Sequence, residues 1–366
     1  MGDKCRAAPL PASCVLSLVL AVVLVPTPAR GQAGAAGSTT SSTKKTPAVR
    51  PWAPSLTADG QPDLQGVWLI STATPLERPK ALEGRQSLTN EEVAALKKRA
   101  DSIFGNFDSD FGAGDGVFLA ALSSADRSYR NPAGTRSTEN SVGMIERDFD
   151  NRTSLVTDPA DGRIPPLTPG AQQRQAAARA ANQRPPAGPE DMPNSYRCIT
   201  TGVPKLGGLY GAGHFSYYQI FQTRNYVAIT TETIHEARII PLDGRAHLPG
   251  SMRQWNGDSR GRWEGNTLVI DTTNFSPKSN FMGSSDNLHL IERFTRVAPD
   301  QIHYELTISD PTTWTRSWTA MMPMRRTSDQ IYEFACHEGN LVIMPAMLTG
   351  ARLDEKGAEA AQKGVR

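Results

Sequence analysis

Hydrophobic and polar residues alternate along the C-terminal part of the chain, as they do in strands that bury one face. Within 301–308 every second residue is apolar, from Ile302 to Ile308. The period of two begins at about Tyr217, and further strands are predicted at 226–231, 267–275, 288–297, 314–324 and 330–336. Short turns such as Glu264-Gly265-Asn266 separate these runs, and loops of this length join only antiparallel neighbours. The pattern therefore predicts an antiparallel meander.

An opening strand is predicted at Gly66–Ile70, which brings the number of strands to about seven to nine. A meander of this size either closes into a barrel or splits into a sandwich. We therefore predict a mainly β fold, either an antiparallel up-and-down barrel or a sandwich, in a single domain at 51–350. In this arrangement 51–200 is a wrapping segment that contains the first strand, 201–350 is the meander and 351–366 is a polar C-terminal tail.

The N-terminal half is predicted to be irregular and partly helical. A helix begins near Thr89, where a hydroxyl cap is followed by Glu91 and Glu92 in the first turn. Residues 171–193 begin as a short exposed helix and end in proline-rich coil. Residues 104–165 are rich in Gly, Asp and Pro, and we expect them to wrap over the meander as extended chain.

The first residues have the pattern of a secretory signal peptide. Lys4 and Arg6 precede an apolar run from about Val15 to Val25, and Ala29-Arg30-Gly31 offers a small-residue cleavage site. The run is shorter than the roughly 20 residues that span a bilayer. We predict a signal peptide at 1–31, a flexible linker at 32–50, and a periplasmic or extracellular protein with no membrane span.

Two cysteines remain after export, Cys198 and Cys336. A pair in an oxidising compartment predicts a disulfide, with two buried free thiols as the alternative. The formal net charge of +2, with both signs mixed along the chain, gives no basic surface for nucleic acid. The sequence does not fix the oligomeric state.

All six histidines lie in the C-terminal part, which predicts one polar site: His214, His235, His247, His289, His303 and His337. A histidine exchanges protons near neutral pH and also binds metals. We predict that the catalytic residues are His235, His289, His337 and Glu338. His303 belongs to the polar face of its strand and is expected to be exposed. The histidines show no HxH or HExxH spacing, so no metal or other cofactor is predicted, and a metal stays possible without support from spacing.

Charged and aromatic residues around these histidines are the candidate ligand contacts. Glu292 shares a strand face with Leu290 and Phe294, so it needs either a ligand cavity or a partner Arg. Trp314 shares a face with Arg316, a pair that suits stacking on a ring or sugar, although tryptophans are more often core residues. The predicted ligand-binding residues are Arg238, His247, Trp255, Asp258, Arg260, Glu292, Arg293 and Trp314.

We expect one concavity to hold His235, Arg238, His289, Glu292, His337 and Glu338. The alternative for His247 is an ordinary position beside the Asp243-Gly244 turn, in water. The alternative for His337 and Glu338 is a turn with ordinary polar residues.

The segment PDLQGVWLI (62–70) resembles the Gly-x-Trp opening strand of lipocalin-type (calycin) barrels, in which the Trp plugs the closed end. The motifs PDLQGVW, DGRAH, GDSRGRWEG and CHEGN also resemble an uncharacterised family of exported bacterial proteins. That resemblance implies export and a common fold, and it supplies no catalytic residues.

Three functions fit this sequence. The first is an exported β-barrel enzyme, a lyase, hydrolase or isomerase, that uses His/Glu acid-base chemistry on a small organic or sugar-like molecule. The second is a non-catalytic, lipocalin-like carrier of a small molecule. The third is a surface interaction protein. A converging His/Glu/Arg set favours the enzyme, a roomy apolar lumen favours the carrier, and a filled barrel favours the interaction protein.

Overall fold

The computed structural model describes residues 52–104, 116–123, 147–204, 216–279 and 281–364. The predicted signal peptide at 1–31, the linker at 32–50 and His214 lie outside the described residues.

The described chain forms a ten-stranded antiparallel sheet. Its strands are β1 Gly66–Leu69, β2 Val156–Asp158, β3 Tyr217–Gln222, β4 Tyr226–Thr231, β5 Ala237–Pro241, β6 Asp258–Glu264, β7 Thr267–Thr273, β8 His289–Ala298, β9 Gln301–Ser309 and β10 Trp318–Thr327. The order is β5-β4-β3-β1-β10-β9-β8-β7-β6, and β2 pairs with β10 off this path. The predicted mainly β, antiparallel fold is confirmed, and the opening strand joins the meander between β3 and β10.

The two end strands of this order, β5 and β6, lie side by side without a hydrogen-bonded ladder between them. Gly261 on β6 makes their approach possible, because a Cβ there would lie 2.9 Å from Ile240 Cγ2 on β5. The sheet is therefore barrel-like, and side-chain contacts rather than backbone bonds join its two edges. We call this junction the seam.

Alternate residues of the long strands fill the space inside the sheet. On β9 the even-numbered residues from Ile302 to Ile308 are buried, as the sequence predicts. Trp68 on β1 is fully buried, and its indole Nε1 donates a hydrogen bond to Leu64 O at 2.8 Å. The largest inward-facing side chains include Trp68, Ile220, Ile229, Phe294, Tyr304 and Trp318.

Four α-helices are described: α1 Asn90–Phe104, α2 Gly116–Ser123, α3 Pro169–Asn182 and α4 Cys336–Gly364. Both helix starts predicted from the sequence are confirmed by their caps. Thr89 Oγ1 accepts from Glu92 N while Glu92 Oε2 accepts from Thr89 N, which is a capping box. Thr168 Oγ1 accepts from Ala171 N at the start of α3. No helix in the described part of the chain is long and apolar enough to cross a membrane.

Two parts of the chain differ from the prediction. Within 104–165, helix α2 packs with α1 in a second apolar cluster, where we expected extended chain. Residues 328–335 form no strand, and a long helix runs from Cys336 to Gly364, where a strand end, a turn and a polar tail were expected. The predicted strand at 330–336 is too short for its period to separate strand from helix. The Ala-, Glu- and Lys-rich residues that follow favour a helix.

Candidate functional site

Arg238 and Glu292 form an ion pair inside the barrel. Arg238 Nη1 lies 3.0 Å from Glu292 Oε1, and Nη2 lies 2.5 Å from Oε2. Glu292 is fully buried, and the Tyr304 hydroxyl donates a further hydrogen bond to Oε1 at 2.6 Å. The partner that the sequence requires for Glu292 is therefore Arg238, aided by Tyr304.

The surroundings keep both donors protonated. Burial and the Glu292 charge raise the pKa of Tyr304 well above its ordinary value of 10, so its hydroxyl stays a donor. Burial alone would lower the pKa of Arg238, but the charge and hydrogen bonds of Glu292 outweigh it and the pKa is raised. Arg238 Nη2 also donates to Ser259 and Thr272, at 3.0 and 3.3 Å.

A cavity of about 20 Å³ lies beside this ion pair. Its lining consists of Val203, Tyr218, Ile229, Thr231, Glu236, Arg238, Asn256 and Tyr304. A cavity of this size holds about one water molecule. This cavity beside the Arg238–Glu292 pair is therefore too small for an organic ligand.

A second cluster joins the 243–249 segment to strands β6, β7 and β8. His247 Nδ1 lies 2.9 Å from Asp258 Oδ2, and its Nε2 lies 3.2 Å from Asp271 Oδ1. His289 Nε2 lies 2.9 Å from the same Asp271 oxygen. Arg260 Nη1 pairs with Asp258 Oδ1 at 2.6 Å. Four predicted site residues, Arg260, Asp258, His247 and His289, are thus linked to one another through two carboxylates, those of Asp258 and Asp271.

Asp271 is the member of this cluster that the sequence analysis missed. It is the one charged residue of β7, TLVIDTT, and it stands directly opposite Arg260 on β6. A lone charge directly after the apolar run Leu268–Ile270 is a signal that could have identified it. Its link to His247 and His289 depends on strand register, which the sequence does not show.

The two clusters lie on opposite faces of the sheet. His289 and Glu292 are three residues apart on β8, so their side chains point to opposite sides. The His289 side chain is 45% exposed, whereas that of Glu292 is fully buried. The structure therefore does not bring these two residues into one concavity.

The outer cluster can orient a proton acceptor. Carboxylates only accept hydrogen bonds, so both His247 contacts are hydrogen bonds only when its ring carries two protons. A neutral His289 that donates from Nε2 to Asp271 keeps a lone pair on Nδ1, which is the arrangement of an oriented general base. Among the described residues, no group of three or more His, Cys, Asp or Glu side chains is placed to hold a metal ion.

A third site lies at the start of α4, where Cys336 forms a disulfide with Cys198, as predicted. The disulfide fixes the first turn of α4 to residues 194–198. Asn340 Nδ2 reinforces this contact by donating to Tyr196 O at 2.6 Å. His337 and Glu338 stand in this turn with exposed side chains, and they belong to a helix rather than to a strand end.

An apolar cleft of about 500 Å³ opens beside this contact, lined by residues 195–196 and one face of α4. It is lined by Ser195, Tyr196, Phe334, Ala335, Cys336, Gly339, Asn340, Ile343, Met344 and Met347. Only Cys336 among these is a residue that the sequence analysis singled out for the site. The signal for the others is the apolar run LVIMPAML at 341–348, directly after CHEGN.

The remaining predicted site residues lie apart from these three places. Trp314 is buried, and its ring packs edge-on against Trp318 at 5.8 Å. Arg293 pairs with Glu264 at 2.9 Å on the outside of the sheet. The Trp255 carbonyl accepts a hydrogen bond from Ser279.

Two further histidines can be placed. The backbone of His235 ends a short 3-10 helix, Thr233–His235. His303 was expected to be exposed and is only partly so, and its burial and Arg152 lower its pKa.

No protein-family model matches the chain, and the comparison with curated proteins also finds no match. Among solved structures, the chain is similar to the crystal structure of a mutant of the fluorescent protein UnaG. The two are 12% identical over 31% of this chain and 72% of that chain, with a TM-score of 0.20. A match at this level carries no information on ligand or activity.

Proposed function

We propose that the protein is an exported binding protein, and that the cleft between α4 and residues 195–196 binds a small apolar molecule. The observation that carries this proposal is the cleft itself. Its volume of about 500 Å³ lies within the range of about 300 to 1,000 Å³ that small-molecule sites occupy. Its lining is mainly apolar, with few polar groups, as such sites usually are.

The lining indicates the chemistry of the ligand. Phe334 and Ile343 offer apolar surface, and Met344 and Met347 are flexible side chains that adapt to ligands of different shape. Ser195, Tyr196 and Asn340 are the lining residues whose side chains can form hydrogen bonds. We therefore infer an uncharged, largely hydrocarbon molecule with one hydrogen-bonding group. Each buried methylene contributes about 0.8 kcal/mol.

The proposed function is still that of a small-molecule carrier, as the sequence predicts, but its binding site lies at α4 and not inside the barrel. A lipocalin-like carrier would hold its ligand inside the barrel, whereas the space beside Arg238 is about 20 Å³. The disulfide between Cys198 and Cys336 supports export, because such bonds persist in oxidising compartments.

Titration of the mature protein with the uncharged fluorophore N-phenylnaphthylamine tests the proposal. We expect saturable binding, and we expect Ile343→Asp to weaken it by at least about tenfold, because the variant places a charge in the cleft. The matched control is Val342→Asp, which adds the same charge about 100° further round the helix, on a residue outside the lining. Equal affinity of wild type and both variants would exclude the cleft as the site.

A second candidate function is supported by the outer cluster, in which Asp271 orients His289. An oriented, half-exposed imidazole suits proton abstraction from a small polar substrate, as in a lyase, hydrolase or isomerase. The test is turnover of a panel of sugar lactones, hydroxy acids and activated esters. His289→Ala should lower a genuine activity by about 100-fold or more, while His303→Ala, on the neighbouring strand, should retain it. An activity that both variants retain, or none in the wild type, rejects this candidate.

A further inference from the structure

Helix α4 presents an apolar face to solvent, on the side away from the cleft. Leu341, Val342 and Leu353 are 81%, 72% and 63% exposed. Ala351 is buried and Leu348 is half-buried, which shows that another side of the same helix packs on the rest of the chain. Exposed apolar side chains grouped on one face of an element are typical of an interaction surface.

Two charged residues of opposite sign flank this apolar stretch. No charged residue lies between Glu338 and Arg352, and each is seven residues from Pro345. Seven residues correspond to nearly two helical turns, so Glu338, Pro345 and Arg352 follow one another along the same side of α4. The acidic end and the basic end are therefore equally far, about 10 Å, from the middle of the face.

We propose that this face binds the same face of a second copy of the chain, with the two α4 helices antiparallel. With Pro345 at the twofold axis, Glu338 of one copy lies opposite Arg352 of the other, and the converse pair forms at the other end. Leu341 and Val342 of each copy then cover the central turns of the other. An interface of this kind is isologous, which is the commonest symmetry of soluble dimers.

A membrane surface is the other occupant to consider for an apolar helix face. Interfacial helices carry a polar face rich in Lys and Arg that attracts anionic lipids. The charged residues of α4 are nearly balanced in sign instead, with one more acidic than basic residue: Glu338, Asp354, Glu355 and Glu359 against Arg352, Lys356 and Lys363. The balance of charge and the self-complementary order favour a second copy.

Charge exchange tests the pairing directly, with mass measured by light scattering and analytical ultracentrifugation of the mature protein. Glu338→Arg and Arg352→Glu should each weaken the dimer by at least about tenfold, because each places like charges opposite one another at both ends. An equimolar mixture of the two variants should form a heterodimer, since all four facing residues are then complementary. The chain that carries both substitutions should dimerise like the wild type.

The control is Asp354→Arg, two residues and about 200° from Arg352, which should leave the dissociation constant unchanged. Circular dichroism verifies that each variant folds. A wild type that stays monomeric at its highest attainable concentration overturns the proposal. So does a dimer that neither single substitution weakens, or one that the mixture fails to restore.

Binding to phosphatidylglycerol vesicles without self-association would assign the face to membranes instead. Val342→Asp should weaken the dimer but leave N-phenylnaphthylamine binding unchanged. The dimer interface and the proposed ligand site can therefore be tested independently.

Discussion

Arg238 on β5 and Glu292 on β8 form an ion pair that crosses the seam of the sheet. Between them lie β6 and β7, which contribute Ser259 and Thr272 as further acceptors for Arg238. The seam lacks a backbone ladder in the described sheet, so this side-chain network joins the two edges. The charge of Glu292 is therefore paired within the protein, by a residue on the opposite side of the seam.

Replacing Arg238 should test that structural role. Arg238→Met leaves Glu292 buried without its cation, and we expect it to lower the free energy of unfolding by about 3–5 kcal/mol. Adding Glu292→Gln removes the stranded charge and keeps an acceptor for Tyr304, so the double variant should be more stable than Arg238→Met alone. Urea unfolding followed by fluorescence measures both. If the double variant is no more stable than the single one, the Arg238 cation does not offset the cost of burying the Glu292 charge.

Gly261 should be intolerant of side chains, because its Cβ would press on the opposite edge of the seam. An added Cβ lies 2.6 Å from Leu242 Cδ2 and 2.9 Å from Ile240 Cγ2. We expect Gly261→Val to destabilise the protein by about 1–3 kcal/mol through overpacking. Gly250→Ala is the control, since nothing lies within 4 Å of its Cβ position. Thermal unfolding should show a lowered midpoint for the first variant and not for the second.

Asp310 should stabilise the turn before β10 only while it is ionised. Burial alone would raise its pKa, but hydrogen bonds from Ser285, Thr313 and Thr312 outweigh it, and the pKa lies below its ordinary value of 3.8. A carboxyl whose pKa is lower in the folded state contributes stability above its unfolded pKa and loses it as the pH falls through the folded pKa. We expect Asp310→Asn to cost about 1–3 kcal/mol at neutral pH.

The difference between wild type and Asp310→Asn should therefore shrink as the pH falls below about 4. The test is to measure the urea unfolding midpoints of wild type and Asp310→Asn at neutral and at acid pH. Asp300→Asn, in the exposed turn between β8 and β9, serves as the control with little effect at either pH. A difference that stays constant with pH would mean that Asp310 acts through its shape and not its charge.

The parts of the fold that the sequence predicted are those whose causes are local. The alternation in 301–308 follows from one buried face, and the start of α1 follows from a cap that Thr89 and Glu92 complete between themselves. The position of Glu292 on an apolar face was visible for the same reason.

The missed features depend on residues that are distant in sequence. Asp271 meets His247 and His289 only because strand register and the 243–249 segment bring them together. Helix α4 begins where its first turn is bonded to Cys198 and Tyr196, 138 and 144 residues away from their partners. The alternating pattern of residues 330–336 could not predict these contacts, and it was therefore read as a strand.

The disulfide should hold the cleft together without holding the barrel together. It closes a separation of 138 residues, and its loss costs typically about 2–5 kcal/mol in small secreted domains. We expect the double variant Cys198→Ala/Cys336→Ala to keep the circular dichroism spectrum of a β-sheet protein. The first turn of α4 is tied to residues 194–198 by the disulfide and Asn340, so its amides should exchange faster and N-phenylnaphthylamine binding should weaken by about tenfold or more.

Reduction of the wild type under native conditions provides the matched comparison, because it opens the same bond without changing any residue. Both treatments should act on α4 and the cleft, while amides of β8 and β9, in the middle of the sheet, keep their protection. Protection of β8 that falls together with that of α4 would show that the disulfide stabilises the whole domain. Undiminished probe binding by the double variant would show that the cleft forms without its covalent tie, and Asn340 with the apolar lining would then be sufficient to hold α4 in place.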